Sequence, residues 1–145
     1  MDVIPGVDSL PSSYERTILS IGNYDGVHLA HRHICDLIKD AATKTGARCA
    51  VLTFEPHPLS IVSPDRCPPL MTTLEEKLAR LEEQGIDATI VQPFTRELAG
   101  MTAEEFIRVI VHEKAKAEAV FVGFNFHFGK GRAGNTKLLE KEGAK

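Results

Sequence analysis

Runs of β-branched and aliphatic residues alternate along this chain with segments of helical period, and that alternation sets the terms on which it can fold. Thr17–Ile21 reads Thr-Ile-Leu-Ser-Ile and stops at Gly22, Asn23, Asp25 and Gly26, which predicts a buried strand leading into a tight polar turn. Arg48–Phe54 is the next strand, closed by the rigid segment Glu55–Pro58. Ala88–Val91 and Ala119–Val122 are two more, the last running into a glycine-rich loop over Gly123–Gly134. Between them, Leu29, Ile34, Leu37, Ile38, Ala41 and Ala42 recur at helical spacing until Gly46 ends the element. Thr73 with Glu76, and Thr102 with Glu105, have the spacing of capping boxes. Leu74, Leu78 and Leu81 would line the inner face of the first of these helices, and Phe106, Ile107 and Ile110 that of the second. Leu138 and Leu139 begin a further helix. The first fifteen residues read as an opening loop with a short strand at its start, and residues 59–72, with Pro64, Pro68 and Pro69, as a loop or flap.

Strands alternating with helices of this length predict an α/β fold, a parallel sheet covered by helices on both faces. In such sheets ligands bind beyond the carboxyl ends of the strands. The segments Gly22–His31, Glu55–Pro58 and Gly123–Arg132 are unusual in composition, and each follows a strand directly. That coincidence predicts one shared site. A length of 145 residues favours one domain, large enough for a core without disulfides or a structural metal. A net charge of −3 offers no basic face for nucleic acid. No apolar run has the length of a membrane span, and the start shows no secretory signal. Cys35, Cys49 and Cys67 form no C-x-x-C pair and are odd in number, which reads as idle thiols in a reducing cytoplasm.

The first unusual segment is Gly22-Asn23-Tyr24-Asp25-Gly26-Val27-His28-Leu29-Ala30-His31. A strand feeds a short loop and then a helix amino terminus, where backbone N–H groups and the helix dipole favour a phosphate. His28 and His31 are three apart, so both rings share one helical face and can stabilise charge on a phosphoryl group. A capping histidine beside a surface one would leave the same pattern. A zinc site from His28, His31, His33, His57 and Asp25 is the competing reading. His31 and His33 point to different sides of a helix, and no Glu lies between His28 and His31, so no metal ligands are assigned.

The second segment, Phe54-Glu55-Pro56-His57-Pro58, is stiffened by its prolines. It is either a wall for a flat heterocycle or a plain rigid turn. In the third, Phe124, Phe126 and Phe128 alternate with Asn125 and His127, and Lys130 and Arg132 follow. These rings could meet a planar ligand and the cations its phosphates, or the stretch could be a hairpin with a phenylalanine core.

Together the segments resemble the adenylyltransferase domain of bacterial bifunctional riboflavin kinase/FAD synthetases. That family's first signature is close to G-N-F-D-G-V-H-x-G-H, its second is F-E-P-H-P, and its third resembles V-G-x-x-F-x-F-G-K-G-R-x-G, matched here at Val122–Gly134. Leu70–Leu78 is similar to a further family segment. The resemblance implies a Rossmann-like nucleotidyltransferase sheet and an enzyme, FMN adenylyltransferase. It would transfer AMP from ATP to FMN, giving FAD and pyrophosphate, with Mg²⁺ and no covalent intermediate. It implies that His28 and His31 hold ATP phosphates and stabilise the transition state, and that Gly22, Asn23, Asp25 and Gly26 form the loop over the nucleotide. Asn125 would contact the reacting phosphates. Phe54, Pro56, His57, Pro58, Phe124 and Phe128 would lie on the flavin side, and Arg66, in the flap, is the candidate for the flavin phosphate.

Two departures bear on activity. Ala30 stands where the family has the glycine of H-x-G-H. The chain also reaches Lys145 without the family's Ser-Ser/Thr-Arg motif or its riboflavin kinase barrel. The expectation is a carboxyl-terminally truncated adenylyltransferase domain over residues 1–145 lacking its last strand, a protein normally fused to a kinase. Weak catalysis or none is expected of it. The alternatives are a non-catalytic flavin- or nucleotide-binding remnant and an adenylyl- or cytidylyltransferase for another phosphate ester.

Overall fold

The computed structural model describes residues 1–24, 29–55, 65 and 73–122. Five strands form one sheet: β1 (Asp2–Ile4), β2 (Thr17–Ile21), β3 (Arg48–Glu55), β4 (Ala88–Pro93) and β5 (Ala117–Val122). Their spatial order is β1-β4-β3-β2-β5, and every pairing is parallel. The predicted strands are therefore present, and β3, β4 and β5 run one or two residues beyond their expected bounds. All five residues of β2 are buried, as a central strand covered on both faces requires.

The helices are α1 (Leu29–Thr45), α2 (Leu74–Glu83), the single turn α3 (Arg96–Ala99) and α4, which is α-helical over Ala103–Glu105 and π-helical over Phe106–Lys114. Thr73 Oγ1 accepts from the Glu76 N–H and Thr102 Oγ1 from the Glu105 N–H, each at 3.1 Å, so both expected caps form. Thr95 caps α3 in the same way.

Strand residues alternate between two cores. Ile18, Cys49 and Val51 pack with Cys35, Ile38 and Ala42 of α1 and Leu81 of α2. Leu19, Ile21, Ala50, Leu52 and Phe54 pack with Phe106, Ile110 and Val111 of α4. Helices thus cover both faces, as the sequence predicts. The apolar periods are less complete than the sequence implies. Leu29 and Leu37 of α1 lie in the exposed class, at 79% and 40%, because the buried stripe runs along Cys35, Ile38 and Ala42 instead. On α2 the stripe is shared by Leu81 and, unexpectedly, Lys77.

The opening segment is more structured than its composition suggests. Tyr14 is buried, its hydroxyl donates to Asp2 Oδ2 at 2.6 Å, and the Arg48 guanidinium lies 5.0 Å from its ring centroid. The Val7 N–H donates to Gln92 Oε1 at 2.9 Å. These ties hold β1 in register beside β4, with Ile4 opposite Ile90.

Candidate active site

The strand order decides where a site can form. From β2 the chain adds β3 and then β4 on one side, and returns with β5 to the other side of β2. A doubly-wound sheet opens a crevice at such a reversal, beyond the carboxyl ends of its strands. Here the reversal is at β2, where Ile21 pairs with Leu52 on one side and with Val122 on the other. The exits of β3, β2 and β5 are therefore side by side. They are the exits from which the three unusual segments emerge.

The first of these segments is held closely as far as it is described. The Gly22 N–H donates to Leu52 O at 3.1 Å, which extends the sheet ladder by one bond. A Cβ on Gly22 would stand 3.3 Å from the Tyr24 ring, so glycine lets that ring fold back against its own chain. Tyr24 has φ 55°, the left-handed conformation that a bulky residue adopts only when its surroundings enforce it. What enforces it is visible. The ring is buried, its hydroxyl shares a short hydrogen bond with the buried Ser20 hydroxyl, and the ring face stacks on His31 at 4.4 Å between centroids. Burial pushes the Tyr24 phenol well above its ordinary value, so it stays protonated.

His31 lies in the first turn of α1, half-buried against that ring. It is neither sunk in a core nor free on the surface. Stacking on one face fixes the imidazole plane. Asn23 is half-buried, and its carbonyl accepts from Thr53 Oγ1 at 2.9 Å and from Lys77 Nζ at 2.9 Å. Sequence reasoning gave Lys77 and Thr53 no role. The available signal was spacing, since Lys77 falls three residues after Leu74 and four before Leu81, on the stripe assigned to the core.

Phe54, expected on the flavin side, is 6% exposed, with Phe94 edge-on at 5.7 Å and Phe106 at 6.4 Å. Its ring belongs to the core beneath the β3 exit. Asp25, Gly26, His28, Pro56, His57, Pro58, Arg66, Phe124, Asn125 and Phe128 lie outside the described residues. Among the described residues no group of three His, Cys, Asp or Glu side chains is placed to hold a metal ion, and no helix is long and apolar enough to cross a membrane.

Comparison with known proteins decides the family. The sequence profile of the FAD synthetase family matches residues 10–145. The chain belongs to the FAD synthetase family. Among its curated relatives, the bifunctional riboflavin kinase/FMN adenylyltransferase of Escherichia coli (strain K12) is 36% identical over 144 residues, 99% of this chain and 46% of that protein. The protein of the same name from Bacillus subtilis (strain 168) is 32% identical over 86% of this chain and 39% of its own length. This FAD synthetase family chain thus spans a little under half the length of those relatives. A solved structure described as a macrolide-efflux protein from Streptococcus pneumoniae superimposes with a TM-score of 0.81 at 22% identity, over 97% of this chain and 47% of that one. That likeness concerns the fold alone, and it agrees with the Rossmann-like sheet described above.

Proposed function

We propose that residues 1–145 are an FMN adenylyltransferase domain, which transfers AMP from ATP to FMN and releases pyrophosphate. The observation that carries this reading is the strand order, which sets the exits of β3, β2 and β5 side by side at the point of chain reversal. The family signatures begin at those exits.

In the reaction an FMN phosphate oxygen attacks the α-phosphorus of ATP, and the bond to the β-phosphate oxygen breaks as pyrophosphate leaves. Such a transfer needs little covalent help. Alignment of the two phosphates and stabilisation of charge on the equatorial oxygens do most of the work. The Gly22–Gly26 loop, with Asn23 and Asp25, would close over the nucleotide. His31, held by the Tyr24 ring, and His28 three residues earlier in sequence would donate to the phosphates, joined by Asn125 from the segment after β5. The reaction would use Mg²⁺ supplied with ATP, which would neutralise phosphate charge and need few ligands from the protein. The flavin would lie against Pro56, His57 and Pro58 on one side and Phe124 and Phe128 on the other, with Arg66 near its phosphate. Phe54, packed between Phe94 and Phe106, would support that wall from beneath.

The relatives' names join this activity to riboflavin kinase, so we read the chain as the adenylylating half of such a protein. Cys35 and Cys49, free and buried, suit a reducing cytoplasm. The test is direct. The chain is mixed with FMN and Mg-ATP, and the products are separated by chromatography. FAD with equimolar pyrophosphate is expected. FMN binding with no FAD formed would overturn the enzymatic reading and favour a binding remnant.

A further inference from the structure

Lys77 sits on the buried stripe of α2 and is only 7% exposed. Burying an ammonium is costly, and an apolar residue of similar volume commonly serves stability as well or better. A purely structural account would therefore favour methionine or leucine here. What the lysine adds is its donors. Nζ donates to the Asn23 carbonyl at 2.9 Å and contacts Thr53 Oγ1 at 3.2 Å, while Thr53 Oγ1 itself donates to the same carbonyl at 2.9 Å. One backbone oxygen of the loop after β2 thus receives two hydrogen bonds, one from a charged group. Charge-assisted bonds of this kind are the strong ones.

That oxygen is well chosen. C=O and N–H of one trans peptide point in opposite directions, so fixing the Asn23 carbonyl also fixes the direction of the Tyr24 N–H. Tyr24 is the left-handed residue whose ring carries His31. We infer that Lys77 is a positioning residue for adenylyl transfer. It clamps the Asn23–Tyr24 peptide from α2, and through Tyr24 it sets the place of the His31 imidazole. The consequence for turnover rests on the reaction proposed above. The consequence for loop geometry rests on the fold alone.

The experiment separates the two. The 145-residue chain is prepared as wild type, Lys77→Met, Lys77→Arg and Thr53→Val. Amide resonances of Tyr24 and imidazole resonances of His31 are recorded without ligand. Turnover and the KM for Mg-ATP and for FMN are then measured. Lys77→Met is expected to melt cooperatively, to move the Tyr24 and His31 resonances, and to lose about 10- to 100-fold in turnover while the KM for FMN is unchanged. Lys77→Arg should recover part of that loss. Resonances that coincide with wild type in folded Lys77→Met overturn the inference, and so does full turnover when they move. If wild type forms no FAD, the reaction proposed above fails, and the resonances alone decide whether Lys77 clamps the loop. Should Lys77→Met not fold, Thr53→Val removes the companion donor at nearly constant shape and is held to the same outcomes.

Discussion

Tyr24 is the residue on which the described part of the site turns. It combines a left-handed backbone, a hydroxyl bonded to Ser20 and a ring stacked on His31. Tyr24→Phe keeps the ring and strands the buried Ser20 hydroxyl, so we expect a loss of about 1–3 kcal/mol in denaturant unfolding, with turnover reduced far less than by Tyr24→Ala. Equal turnover in the two variants would show that the ring does not orient the histidine. On the proposed reaction, in which His31 donates to the phosphates, His31→Ala should lower FAD formation by about 10²–10³ while FMN binding survives. Near-wild-type formation in that variant takes His31 out of the mechanism. The same expectation holds for His28→Ala.

At the scale of elements, the caps and the end of α4 make local claims. Thr73 and Thr102 each accept the N–H three residues on, and replacing either with alanine should cost about 1 kcal/mol. The end of α4 is less well suited. Lys116 adopts φ 56° just after the helix, a position that glycine usually fills. Lys116→Gly should therefore raise unfolding free energy by about 0.5–1 kcal/mol, measured by urea titration. A lower stability would mean that the lysine side chain contributes more than its backbone loses.

These elements also show what the sequence made legible. β2, β3, β4 and β5 stood out because β-branched runs closed by glycine or proline leave few alternatives. β1 left only a trace, since three residues before Pro5 carry almost no periodic signal and their place depends on Tyr14, Asp2 and the β4 edge. The π-helical course of α4 was hidden too: the α-helical period picks out Phe106, Ile107 and Ile110, whereas the structure buries Phe106, Ile110 and Val111 and leaves Ile107 partly exposed. In the candidate site, spacing to His28 is what draws attention to His31, and its stacking on Tyr24 is visible only in the structure. Lys77 was not legible, because a lysine on an apolar stripe acquires meaning only when the loop it reaches is in place.

For the molecule as a whole, pH acts through buried protons. Burial pushes the Cys35 thiol from its ordinary 9.0 up to about 11, and raises Cys49 as well. The folded state keeps protons that the unfolded chain releases, so this contribution is complete below pH 9 and is lost as pH climbs through 11. Tyr14, raised by burial to about 12, extends the loss upward. Thermal melts should show a falling Tm across that window, and Cys35→Ala should flatten the decline while lowering Tm at neutral pH. A Tm that holds level from neutrality to pH 11 would contradict the burial of these groups.

The position of β5 has a consequence in time. Thr17 of β2 pairs with Ala117, a partner that the ribosome delivers a hundred residues later. Closing so long a loop is slow, and the β5 flank of β2 cannot be completed by local collapse. A nascent chain can therefore pair β2 with β3 well before β5 exists. The crevice at the chain reversal is thus among the last features of the fold to take shape.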